Sequence, residues 1–244
     1  MACAGAVFRG LLVCATLLAA GSASANMSVY PMSVDIGAQG EAASTIQVYS
    51  KSEETQFVKV SVKRVLQPGT AQEHEEEVNN WEGIGLVVSP PKFALPAGGS
   101  RAVRIVGMAA PKSEEVYRVY FEQVPLPSGE AEAEGTQSAA KTKLSVNLIW
   151  GVLVRMVPAD PQVALERSGP SRLHNAGNIR LGLLKVGRCT GSDDASCQWQ
   201  TLEKNIYPGM DLEVPGTPSG SLLRVKYQVD STPDIQSKDL AAVR

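Results

Sequence analysis

The chain has 244 residues, with 23 basic against 25 acidic side chains and a net charge of −2. It therefore lacks the cationic excess by which a protein grips nucleic acid or an anionic bilayer. With two histidines in the whole chain, the material for metal or acid–base chemistry is sparse, and the length fits one large or two small domains.

Taken in order, the chain opens on a stretch whose only charge is Arg9, followed by the apolar run Leu11–Ala20 and the small residues Ala23-Ser24-Ala25. This pattern predicts a cleaved secretory signal over residues 1–25. Losing it takes the net charge from −2 to −3 and removes Cys3 and Cys14. No later run is long and apolar enough for a membrane helix, so insertion into a bilayer is not expected. Period-2 alternation then predicts strand after strand. Val34 and Ile36, Ile46 and Val48, Val58, Val60 and Val62, Val103 and Ile105, and Tyr117, Val119 and Phe121 each alternate with polar neighbours. Pro68-Gly69, Asn79-Asn80, Pro96-Ala97-Gly98-Gly99, Asn175-Ala176-Gly177-Asn178 and Pro208-Gly209 supply the turns. Residues Ser128 to Thr142 are acidic and small, and predict a mobile loop. After it comes the longest alternation, Lys143 to Val157, in which Leu144, Val146, Leu148, Trp150, Val152 and Val154 form one apolar row. Its first half reads as half exposed and its second half as buried on both faces except at Arg155. A long strand with an apolar row at its exposed end predicts a covering partner. Pro158-Ala159-Asp160-Pro161 reads as an elbow between one sandwich over residues 26–158 and a second over residues 162–244. From Asp230 the tail is polar and reads as frayed. The pattern predicts an all-β protein with no long helix.

The chemistry of an enzyme is not legible here. His74 lies in the acidic run Glu73–Glu77, read as a solvated loop, and His174 precedes a turn. No phosphate-cradling glycine loop and no nucleophile elbow is present, so no catalytic residue, metal or cofactor is assigned. Cys189 and Cys197 flank the turn-rich Thr190–Asp194 and predict a disulfide; a metal site lacks further ligands. The small closed loop limits its stabilisation to about 2.6 kcal/mol. Arg155 stands out among Leu153, Val154, Met156 and Val157. A guanidinium there needs a partner. Two readings stay open: an ion pair at the domain junction, with Asp160 or Glu115, and a site that grips a carboxylate in the cleft.

The order of these features resembles the periplasmic pilus chaperones of the chaperone–usher pathway, closest to the branch serving class 5 pili. The resemblance rests on Val88-Ser89-Pro90-Pro91-Lys92-Phe93-Ala94-Leu95-Pro96-Ala97-Gly98, on Glu115 to Pro125 (EVYRVYFEQVP), on Leu144-Ser145-Val146-Asn147 and on Asn205-Ile206-Tyr207-Pro208. It implies two immunoglobulin-like β-sandwich domains arranged as a boomerang, and location in the periplasm. It implies that the long strand is lent to a pilin subunit that lacks its own last strand, with Leu144, Val146, Leu148 and Trp150 as the donor row. Partners would be pilin subunits and the outer-membrane usher, with no cofactor and no turnover. Arg155 matches the family's carboxylate anchor in the long strand. Met32 stands where the family's second basic residue is expected, so either another residue supplies that charge, with Arg118 and Lys59 as candidates, or a neutral donor takes its place. Arg104 and Glu115 resemble positions used for interdomain ion pairing.

Two other readings differ in kind. A pilus subunit or adhesin-type structural protein would also use sandwiches, but would carry an alternating N-terminal extension. A secreted enzyme or sugar-binding module has no supporting constellation. The cysteine reading gives the first prediction: thiol labelling of denatured, unreduced protein lacking residues 1–25 finds no free thiol, and two labelled thiols would exclude the bond.

Overall fold

The computed structural model describes residues 26–37, 41–78, 85–124, 148–216, 220, 222–229 and 234–242. The expected signal (1–25), the expected mobile loop (128–142), Leu144, Val146 and the Asn79-Asn80 turn lie outside these residues. The described residues form seventeen strands and one short 3-10 turn, Asp194–Ser196, with no α-helix among them.

Four sheets result. The first has the order β1 (Met27–Tyr30), β3 (Ala43–Ser50), β8 (Ser100–Gly107), β6 (Leu86–Ser89). The second has the order β2 (Ser33–Ile36), β10 (Trp150–Met156), β9 (Glu115–Val124), β4 (Gln56–Leu66), β5 (His74–Glu77), with β7 (Lys92–Leu95) also paired to β4. These two sheets share a core of alternate residues: Val58, Val60, Ile105, Tyr117, Val119, Phe121, Val152 and Val154. Two further sheets build the second sandwich. One is β11 (Leu165–Gly169), β12 (Arg172–Asn175), β15 (Asp211–Glu213); the other is β14 (Cys197–Ile206), β13 (Leu181–Cys189), β16 (Leu222–Val229), β17 (Gln236–Leu240). Leu165, Leu173, Leu181, Leu183, Leu223 and Val225 fill its centre. Each such side chain contributes about 1.5–3 kcal/mol by leaving water, so the two cores are what hold the sheets face to face. The sequence pattern thus yields two β-sandwiches, each with its own core.

Cys189 and Cys197 face each other across the β13–β14 pair and are joined by a disulfide. Two local expectations are corrected. The acidic run around His74 is a strand rather than a solvated loop. β5 pairs its glutamates with cations on β4, Glu77 opposite Lys63 and Glu76 opposite Arg64, and cross-strand opposite charges favour that register. The polar tail from Asp230 is not frayed throughout: β17 pairs with β16, with Leu240 buried. Its carboxylate Asp239 takes two hydrogen bonds from the Arg224 guanidinium, at 2.6 and 2.8 Å.

The first strand changes sheet. β1 pairs with β3 in one layer, and β2, only three residues on, pairs in parallel with β10 in the other. Pro31 sits at the crossing, where its missing N–H ends the first ladder. Gly37 ends β2 at φ +88°, and a Cβ there would run into the Val157 carbonyl oxygen. Gly98 has φ +61° but faces open space. Gly98→Ala should therefore cost about 1–2 kcal/mol, the left-handed backbone penalty alone. Gly37→Ala should cost more than that in chemical denaturation, and equal losses at the two sites would remove the steric argument.

Candidate functional site

β10 presents two faces. Trp150, Val152, Val154 and Met156 point into the first core, opposite Phe121, Val119, Tyr117 and Glu115 of β9. Gly151, Leu153 and Arg155 point the other way, toward the second sandwich, opposite Tyr120, Arg118 and Val116. Leu153, Val65 and Val116 there meet Tyr207 and Met210 of the second sandwich in a small apolar cluster of their own. Gly151 is tight for a reason: a Cβ would press on the Tyr120 ring at 3.1 Å and on the Arg118 stem at 3.2 Å.

Arg155 lies within the junction of the two sandwiches and is 5% exposed. Its guanidinium is ion-paired with Asp35 of β2 and lies 3.7 Å from a carboxylate oxygen of Glu114. The Glu114 side chain is fully shielded from solvent. One of its oxygens accepts the backbone N–H of Arg180 at 2.7 Å, and the other lies 4.0 Å from Arg180 Nε. The Glu114 N–H donates to the Asn178 carbonyl at 2.8 Å. Asn178 Nδ2 in turn donates to the carbonyls of Lys112 and Asp160, at 3.1 and 2.9 Å. Two guanidiniums and two carboxylates therefore meet where the sandwiches join. Burial pushes the Tyr207 phenol upward, and it feels Arg180, Glu114 and Arg155 as well.

The ion-pair reading of Arg155 is thus realised with other partners than expected, Asp35 and Glu114 in place of Asp160 or Glu115. Arg104 and Glu115 do not make the interdomain pair. Arg104 is exposed on β8, in the opposite sheet. Glu115 bonds Arg64 at 2.8 Å and the Tyr117 hydroxyl at 2.5 Å, all within the first sandwich. The physical reason is alternation: Glu115 leads β9 on the core-facing side, and its neighbour Glu114, just ahead of the strand, reaches the second sandwich instead. Arg118 lies on the same face as Arg155, one residue pair away, and engages Glu75 at 2.5 Å and Glu73 at 3.4 Å. Lys59 is six residues along β4 from Val65, the residue level with Arg155. At about 3.3 Å per residue that is roughly 20 Å away, too far to share one carboxylate with Arg155. Asp35 and Glu114 escape a reading of the sequence because neither is near Arg155 in the chain.

At its other end β10 has a single neighbouring strand among the described residues. β2 begins to pair at Ser33, opposite Leu153, and the Leu153 N–H donates to the Met32 carbonyl at 3.0 Å. Among the described residues, Trp150, Gly151 and Val152 therefore have a ladder partner only in β9. Leu148 and Ile149, just ahead of the strand, are 49% and 51% exposed, and Met32 beside this edge is 42% exposed. Leu148 continues the row of Trp150, Val152 and Val154 from the core to the surface. The predicted consequence at the closed end is specific. Arg155→Ala should cost about 3–5 kcal/mol, because it removes the buried guanidinium that pairs with Asp35 and faces Glu114. Glu77→Ala, which breaks only the exposed pair with Lys63, should cost about 1 kcal/mol or less. Urea denaturation of both variants checks the order, and similar losses would contradict it.

Residues 27–155 match the family described as pili and flagellar-assembly chaperone, PapD N-terminal domain. The chain is 39% identical over 197 residues to a CFA/I fimbrial protein of Escherichia coli that is named as a fimbrial subunit, covering 79% of this chain and 81% of that protein. It is likewise 39% identical to a CS1 fimbrial protein of Escherichia coli, also named as a fimbrial subunit, over 78% of this chain and 81% of that one. Among solved structures, the class 5 fimbriae chaperone CfaA superposes with a TM-score of 0.75 at 32% identity, over 90% of this chain and 100% of that one. A structure described as a chaperone–tip adhesin complex in CFA/I fimbriae biogenesis matches with the same TM-score and identity, over 90% of this chain and 99% of that one. With its fold, its edge and its sequence all in agreement, this chain belongs to the pilus-assembly chaperone family.

Proposed function

We propose that the protein is a periplasmic chaperone that binds pilin subunits by lending them the strand that ends in β10, and passes them to an outer-membrane usher. The observation that carries this reading is the open edge at Trp150–Val152, with its apolar row running outward through Leu148. Extended segments add to such an edge through main-chain hydrogen bonds, while alternate side chains fill pockets; chaperone–pilin complexes are an established case of this recognition. Leu144, Val146, Leu148 and Trp150 are the proposed donor row. In an extended segment, alternation would put all four on one side. Residues 1–25 are the proposed cleaved signal that delivers the chain to the periplasm, and residues 26–158 and 162–244 the two domains.

Arg155 is the proposed anchor for the client's terminal carboxylate. An anchored terminus would fix the pairing register, and a slip of one residue would turn the row away from the groove. The reading involves no turnover: completion of the pilin's own sandwich by the next pilin's strand supplies the driving force, so release needs no nucleotide.

A pilus subunit is the other reading, and the names of the two Escherichia coli relatives favour it. The match over the full length of a class 5 chaperone favours the chaperone. Purification separates them. A chaperone co-purifies one to one with a co-expressed class 5 pilin, whereas a pilus subunit forms polymers. Val146→Glu and Leu148→Glu should each lower the periplasmic yield of that pilin at least tenfold, since a charge buried without a partner costs several kcal/mol, while circular dichroism of the free variants stays unchanged. Wild-type yield from both variants would remove the donor row.

A further inference from the structure

Among the described residues, the charges around Arg155 balance. Arg155 and Arg180 face Asp35 and Glu114, two cations against two carboxylates, with the neutral Tyr207 phenol beside them. A further carboxylate arriving there would meet no net positive charge. Binding it therefore requires one of the resident carboxylates to give way.

The two residents are held very differently. Glu114 has a fully shielded side chain, accepts the Arg180 backbone N–H at 2.7 Å and joins both sandwiches. Asp35 sits on β2, the four-residue strand at the end of its sheet, and its side chain is 20% exposed against 7% for Arg155. Only one of its oxygens engages the guanidinium; the other, Oδ1, is buried with no hydrogen-bond partner among the described residues. Asp35 is thus the more exposed of the two, and it sits on a short strand at the end of its sheet. A partly exposed carboxylate on an edge strand, bonded to the guanidinium through one oxygen, can be replaced by one able to bond through both oxygens.

We propose that Asp35 is a stand-in for the client: in the free chaperone it holds the guanidinium edge of Arg155 that a chain-terminal carboxylate takes on binding, so that docking is an exchange of carboxylates. This rests on the reading of Arg155 as the carboxylate anchor. The exchange has two consequences. It keeps a buried guanidinium paired while no client is present, which spares the free protein the cost of an uncompensated charge. It also weakens the grip on any client by the cost of displacing Asp35, so a pilin held there is easier to release.

The test uses a synthetic peptide of alternating apolar residues in two forms, free acid and C-terminal amide, with binding to the full mature chain followed by fluorescence anisotropy. In the wild type the acid should bind more tightly than the amide. Asp35→Asn, which keeps the shape and removes the charge, should tighten binding of the acid about tenfold and leave the amide unchanged. Asp35→Ser serves as a second neutral variant, and thermal unfolding of each shows which is folded and can be scored. Acid affinity that is unchanged or weaker in a folded neutral variant overturns the proposal, because Asp35 then orients Arg155 rather than competing for it. Equal binding of acid and amide to the wild type overturns it by a separate route, since the anchor reading itself has then failed.

Discussion

A carboxylate with no access to water, Glu114, ties the two halves of this molecule together. Such a charge is costly to bury and tolerable only with close, well-placed partners. It finds them on both sides of the junction: the Arg155 guanidinium from the first sandwich and the Arg180 backbone N–H from the second. The apolar contacts of Tyr207 and Met210 with Val65, Val116 and Leu153 keep water from this place. Dry surroundings strengthen every polar contact and penalise any that is missed. Directional polar contacts and this small apolar cluster together join the two sandwiches. That matters for a protein whose β10 carries both the junction and the open edge.

β10 serves two needs at its two ends because of what its neighbour does. At Leu153–Met156 it lies between β2 and β9, buried on both faces. One step of the pleat earlier the chain before β2 lies in the other sheet, as β1 beyond Pro31, and among the described residues no second strand flanks β10 there. The switch of the first strand is thus what creates the edge, and the buried half of β10 is what holds the edge still. A strand tethered along half its length presents its remaining backbone groups in a fixed, extended form, so less order is lost when a second chain pairs with it.

The same sheet treats its opposite margin in the reverse manner. β5 closes that side with His74, Glu75, Glu76 and Glu77, whose glutamates face Lys63 and Arg64 on one side and repel strand addition on the other. Charged side chains are a common guard on sheet margins. Charge thus guards the β5 part of that margin, whereas exposed Leu148, Ile149 and Met32 leave the β10 side apolar.

Much of this is legible in the chain. Alternating valines and isoleucines determine strands because each strand has one face to bury, and two cysteines among turn residues determine a bridge because the hairpin between them brings them opposite. The odd charge at Arg155 also marks the junction, since a guanidinium among apolar residues must have a partner. Its partners, however, are 120 and 41 positions away in the chain, and only the parallel pairing of β2 with β10 and the docking of the second sandwich bring Asp35 and Glu114 to it. The interdomain role expected of Glu115 belongs to Glu114 for a related reason. A one-residue difference decides which side of a strand a side chain leaves from, and the sequence pattern carries no information on which side a second domain will cover. The acidic β5 is hidden for the converse reason: its stability comes from cations on a neighbouring strand, not from an apolar row of its own. Local alternation is a property of the chain by itself, whereas pairing between distant charges exists only once the sheets have formed.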